Sequence, residues 1–115
     1  MDENCLFCRI VAGTIPSTIV YKDDHVTAFQ DIQPQAPVHV LIVPNAHVAS
    51  TNDLTEQHDA AIGHLMRITQ VVARQQGIAD SGYRLVVNTG QDAMQSVAHI
   101  HVHILGGRHL GWPPG

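Results

Sequence analysis

Charged side chains are scarce in this chain of 115 residues, and basic ones scarcest: six Lys and Arg against ten Asp and Glu leave a formal charge of −4. Reading a nucleic-acid polymer requires a clustered basic face, which argues against such a partner. A small anionic ligand stays open, because backbone N–H groups and one or two histidines can hold a phosphate locally. Long apolar runs are missing as well. The longest strongly apolar stretch, VLIV at 40–43, is far short of the ~20 residues that cross a bilayer, so no membrane partner is expected. The start MDENCLFC lacks a basic segment followed by an apolar one, so no secretory signal is visible and a soluble cytoplasmic protein is expected. Cysteine is nearly absent. Cys5 and Cys8 stand alone in a C-x-x-C spacing, which in a reducing compartment suggests metal or redox chemistry rather than a structural disulfide. Internal repeats, low-complexity tracts and linkers are also lacking, and the length suits one domain over 1–115.

What is present is apolar patterning with two periods. A short helix is expected over 4–12, opening at Asn4 and broken by Gly13 and Pro16. The stretches 18–21 and 25–31 read as a hairpin around KDD, and 38–44, VHVLIVP, reads as a covered central strand interrupted only by His39. From 55 to 76 the period becomes helical, with Ala61, Leu65, Ile68 and Val72 on one face and Gly77 where a helix commonly ends. Strands are expected again at 83–90 and 97–105. Together these predict an α+β fold, an antiparallel five-stranded sheet with one long helix on one face and a short N-terminal helix.

Nine histidines are the most prominent feature. In AHIHVHILGG, 98–107, His99, His101 and His103 alternate with Ile100, Val102 and Ile104, so on a strand the two sets face opposite ways. The apolar set belongs under the long helix, which leaves the histidines an open face. Three such imidazoles suit metal ligation, since imidazole binds zinc and copper. They equally suit chemistry at phosphorus, where a neutral imidazole is a nucleophile and an imidazolium a donor to phosphoryl oxygens. Spacing alone leaves both open. His39, a polar group inside an apolar strand, must find a partner or serve a site. His25, His58, His64 and His109 read as solvated surface.

The triad at 99–105, preceded by QSV at 95–97 and followed by GGR at 106–108, resembles the histidine triad (HIT) family of nucleotide hydrolases and transferases. LFCRIVAGTIPS, AFQDIQPQAPVHVLIVPNAH, GYRLVVNTG and the triad stand in family order, and the ending GGRHLGWPPG is similar to the Hint branch, the purine nucleoside phosphoramidases. The resemblance implies cleavage of purine nucleotide adducts at the α-phosphorus in two steps. It makes His101 the nucleophile that carries a covalent nucleotidyl group and His103 the hydrogen-bond partner of phosphate and leaving group. His39 becomes a fourth active-site histidine. Asn88, Gln95 and Ser96 fall at the polar groups around the phosphate. Asp31 falls at the carboxylate for the ribose hydroxyls, and Phe7, Ile10, Phe29, Ile32 and Leu41 at the walls around the base, although Phe7, Phe29 and Leu41 also read simply as core. No catalytic metal is required.

For the C-x-x-C, the βαβ context of a redox pair is lacking. Some family members hold zinc there, and the corresponding ligands are Cys5, Cys8, His47 and His99, a closed structural set that would make His99 an anchor. Two buried, unliganded cysteines are the alternative. The resemblance also implies a homodimer built on the long helix and a strand continuing the sheet, with Trp112 docking, in one version against the partner's active site. One departure stands out. Met94 occupies a position where the family usually has glycine, and the expectation is that the loop has shifted so that residue 94 takes an ordinary negative φ. Competing functions are a dinucleoside polyphosphate hydrolase, a zinc-stabilised nucleotide-binding or interaction module without significant turnover, and a metal-handling protein.

Overall fold

The computed structural model describes residues 3–115. The elements run α1 (Leu6–Ala12), β1 (Ile19–Lys22), β2 (Val26–Gln30), β3 (Val38–Pro44), α2 (Asp59–Gln75), β4 (Tyr83–Val86) and β5 (Val102–Gly106), with short 3-10 turns at Thr51–Asp53, Glu56–His58 and Gln91–Ala93. The five strands form one sheet in the order β1-β2-β3-β5-β4, antiparallel throughout. This is the α+β arrangement that the periodicities predict. Among the described residues no helix is long and apolar enough to cross a membrane.

Strand alternation divides the interior into two cores. Val26 and Ala28 of β2, Val40 and Ile42 of β3, and Val102 and Ile104 of β5 pack against Leu65, Ile68, Val72 and Ala73 of α2. The other face carries Phe29, Leu41 and Val43, and these meet Phe7, Cys8, Ile10 and Val11 of α1. Thus the face expected to be open is roofed by the N-terminal helix, a long-range packing that periodicity does not report. His99, His101 and His39 are buried beneath it, at 0%, 3% and 4% exposure.

Three expected boundaries move. α1 starts at Leu6 rather than Asn4, because the Cys5 sulfur accepts the Cys8 N–H and so occupies the N-cap position. β4 ends at Val86, short of residue 90. β5 begins only at Val102, so His99 and His101 precede the strand. The cause lies across the sheet: Pro44 has no N–H for a ladder, and its carbonyl takes the His99 ring (Nε2 to O, 2.8 Å) instead of a strand amide. The long helix ends as expected, with Gly77 at φ +77° just past its last turn.

Two histidines expected to be plain surface have partners. His64 Nε2 lies 2.7 Å from Asp23 Oδ2, tying α2 to the β1–β2 turn, while Tyr21 donates to the same oxygen. His58 Nδ1 accepts the Thr55 N–H in a capping box at the start of the α2 region.

Candidate active site and metal centre

Two clusters of side chains could hold a metal ion. The first joins the N-terminal helix to the approach of β5. Cys5 Sγ is 3.3 Å from His99 Nδ1, Cys8 Sγ is 3.5 Å from the same nitrogen, and Cys8 Sγ is 3.4 Å from His47 Nδ1. A carbonyl can only accept, so the Pro44 contact puts the His99 proton on Nε2 and leaves Nδ1 with a lone pair aimed at both sulfurs. Thiolate and imidazole ligands around a tetrahedral metal stand roughly 3.5 Å apart, given Zn–S and Zn–N lengths of about 2.3 and 2.0 Å. The four donors therefore could hold a metal ion, and the second partner that such a histidine needs is already in place.

The second cluster sits where β2, β3 and β5 run side by side. Phe29 faces Leu41, Leu41 faces His103, and Asp31 extends β2 with its N–H on the His39 carbonyl at 3.0 Å. That register brings His39 Nε2 to 2.9 Å from His103 Nδ1 and 3.3 Å from Asp31 Oδ2. The Gln35 N–H donates to His39 Nδ1 at 3.0 Å. The single proton of a neutral His39 is therefore on Nε2 and goes chiefly to the nearer partner, His103 Nδ1. His103 in turn carries its proton on Nε2. Burial, then the His101 and His39 rings, push the His103 pKa down to about 4, so the imidazolium donor expected from sequence is at neutral pH a neutral N–H. Burial also lowers His39, against the opposing pull of Asp31.

Between the clusters stands His101, its ring 5.1 Å from that of His103 and 5.0 Å from that of Phe7. Its Nδ1 lies 2.8 Å from the His99 carbonyl, which makes Nδ1 the donor and, in the neutral tautomer, puts the lone pair on Nε2. Phe7, against which His101 packs, lines a cavity of ≈ 540 Å³, within the usual range for small-molecule sites. Of the residues expected around a nucleoside, Phe7, Ile10, Phe29, Asp31, Ile32, Leu41 and Ser96 all line it. Ile32 is a rim residue, 93% exposed.

The phosphate-loop residues divide. Ser96 reaches the cavity, but the Gln95 amide is committed to the loop itself: Nε2 donates to the Ala49 and Val97 carbonyls and Oε1 accepts the Gly90 N–H. Asn88 lies two residues beyond Val86, which pairs with His103. Met94 is at φ +61°, ψ +41°, so the expected shift to negative φ does not occur. The turn Gln91–Ala93 closes with Met94 N–H on the Gln91 carbonyl, and the backbone reverses there whatever the side chain. Sequence reasoning missed Gln35 and Arg108. Gln35 contributes a main-chain atom, for which no side-chain signature exists.

A helix-roofed antiparallel sheet thus carries two histidine clusters and a cavity that one of them reaches through Asp31. Residues 12–110 match the HIT domain family, and the chain belongs to it. The purine nucleoside phosphoramidase of Escherichia coli K12 is 50% identical over 111 residues, covering 96% of this chain and 93% of that protein. A 14 kDa zinc-binding protein of Zea mays is 48% identical over 99% of this chain and 90% of its own. A crystal structure of a HIT family hydrolase from Legionella pneumophila Philadelphia 1 superposes with a TM-score of 0.95 at 45% identity, covering 97% of this chain and all of that one.

Proposed function

We propose that the chain, read as one domain over 1–115, is a hydrolase that releases a purine nucleoside monophosphate from adducts at the α-phosphorus. The observation that carries this reading is the orientation of His101: its Nδ1 donates to the His99 carbonyl, which makes Nε2 the basic nitrogen of the neutral ring, and its ring packs on Phe7, which lines the cavity. In the first step His101 Nε2 attacks phosphorus and the bond to the leaving amine breaks, the amine taking a proton from water. In the second, water attacks the nucleotidyl-histidine and regenerates His101. His103 Nε2–H, neutral at pH 7, stabilises phosphoryl oxygen or leaving atom by hydrogen bonding rather than by losing its proton. Ser96 and Asn88 serve the phosphate, Gln95 shapes its loop, and Asp31 faces the ribose while Phe7, Ile10, Phe29, Ile32 and Leu41 hold the base.

Cys5, Cys8, His47 and His99 are read as a structural zinc site, free thiols there suiting a reducing cytoplasmic setting. Bound zinc would supply cross-linking of α1 to the His99 segment and no catalytic chemistry. A homodimer is supported by β4, an edge strand whose only partner among the described residues is β5, and by exposed Met66, Val71 and Val87. Trp112 is 80% exposed, with Arg84 5.8 Å above its ring, and suits docking on a second copy. His101→Ala tests the chemistry: release of AMP from adenosine phosphoramidate should fall by on the order of 10³-fold or more while adenosine binding persists. Near wild-type turnover in that variant would end the covalent reading.

A further inference from the structure

Asp31, His39 and His103 pose a problem of their own. Two imidazoles and a carboxylate with donor atoms 2.9 and 3.3 Å apart match the roughly 3.0 Å edges of a metal ion with ligands about 2.1 Å away. A divalent cation captured there would sit on the catalytic donors. We propose that the main-chain N–H of Gln35, pinned from outside by Arg108, fixes the His39 and His103 tautomers so that this pocket offers a proton to substrate and refuses divalent metal ions.

A neutral imidazole has one N–H. For His39 Nε2 to ligate a metal, that hydrogen must move to Nδ1, where the Gln35 N–H already points from 3.0 Å. Two hydrogens would then face each other, and the Gln35 amide would lose its acceptor. With Nε2 protonated instead, His39 donates to His103 Nδ1, which blocks that nitrogen as a ligand too and leaves its proton on Nε2. Asp31 alone, with Oδ1 accepting the Gln33 N–H, remains available, and one carboxylate does not make a metal site.

The loop has the supports that such a setting requires. Arg108 Nη2 donates to the Gln35 carbonyl at 3.0 Å, and the Gln35 side chain bonds the Gln33 carbonyl. Gly107, at φ +90°, passes so close to Pro37 that a Cβ there would lie 2.9 Å from the proline Cβ. The GGR sequence at the end of β5 thus acts as a clasp on residues 33–37, and Arg108 is a positioning residue that works through Gln35.

The proton-offering half of this proposal rests on the hydrolase reading; the metal-refusing half does not. The test uses the metal-loaded protein, nitrogen-15 labelled, with long-range proton–nitrogen spectra at pH 7. His39 and His103 should both appear as Nε2–H forms in the wild type, and Zn²⁺ added beyond the first equivalent should leave their resonances unmoved. Gln35→Pro removes the N–H; it should mix the His39 tautomers and bind a second Zn²⁺ roughly 10–100-fold more tightly than the wild type, with inhibition in step. Gln35→Ala keeps the N–H and should retain the wild-type tautomers. Should Gln35→Pro not fold, Arg108→Ala, which unpins the amide, should show the same changes at a few-fold level. A wild-type His39 protonated on Nδ1, or equal second-site affinity in wild type and variants, overturns the proposal. Correct tautomers with no turnover would count against the hydrolase reading alone.

Discussion

The two clusters use imidazole to opposite ends. Each contains two histidines, with two cysteines in one and a single aspartate in the other, and each has one histidine fixed by a main-chain group. At His99 that group is the Pro44 carbonyl, which holds the proton on Nε2 and frees Nδ1 toward Cys5 and Cys8. At His39 it is the Gln35 N–H, which occupies Nδ1 and holds the proton on Nε2, where the other donors converge. One pocket is therefore set to receive a metal ion and the other to pass a hydrogen bond. The two differ in residue type, thiols in one and a carboxylate in the other, and also in the polarity of the backbone contact that orients the histidine.

The comparison breaks most strongly at the first cluster. Cys5→Ser should drop bound metal from about one equivalent to near zero and destabilise the fold by more than about 4 kcal/mol, because loss of a structural metal belongs to the few changes of that size. Metal analysis with thermal unfolding checks both. Full stability without metal would favour two buried, unliganded cysteines.

The second cluster should reveal itself in acid. His39 and His103 have folded-state pKa values below the usual 6.5, His103 at about 4, so the unfolded chain binds more protons between those pH values. Stability contributed by these neutral rings is complete above about pH 6.5 and is lost as pH falls toward 4, on the order of 2 kcal/mol. Denaturant titrations across that window, with His103→Asn as the flattened control, measure it. An unchanged slope in the variant would assign the acid sensitivity elsewhere.

The smallest effect is expected at Met94, whose left-handed backbone costs about 1 kcal/mol relative to glycine, partly offset by the flexibility that glycine adds to the unfolded chain. Met94→Gly should raise Tm by up to a few degrees without altering metal content. A lower Tm would mean that the exposed side chain contributes more than its strain removes.

These outcomes bear on what a sequence can carry. The α2 stripe and the alternation at 99–104 were legible because burial on one face imposes a period, and β3 was legible as a run covered on both faces. The shared side of the alternating histidines was legible too, and seven of the residues that the family resemblance singled out line the cavity. Three things were not. That α1 roofs the histidines depends on contacts between residues 5–11 and the sheet, with no local signature. The early end of the β3–β5 ladder at Ile42 and Val102 follows from a proline on the neighbouring strand. The tautomers of His39 and His103 depend on an amide hydrogen of Gln35, which every residue but proline possesses.

That His101 is the nucleophile of a hydrolase is tested most directly by rapid acid-free quenching of wild-type protein with an adenosine phosphoramidate, followed by peptide mass spectrometry. The account predicts an AMP-sized adduct on His101 that forms and decays at rates sufficient for turnover. Turnover with no adduct on any histidine, or with the adduct on His103 or His39, would contradict it.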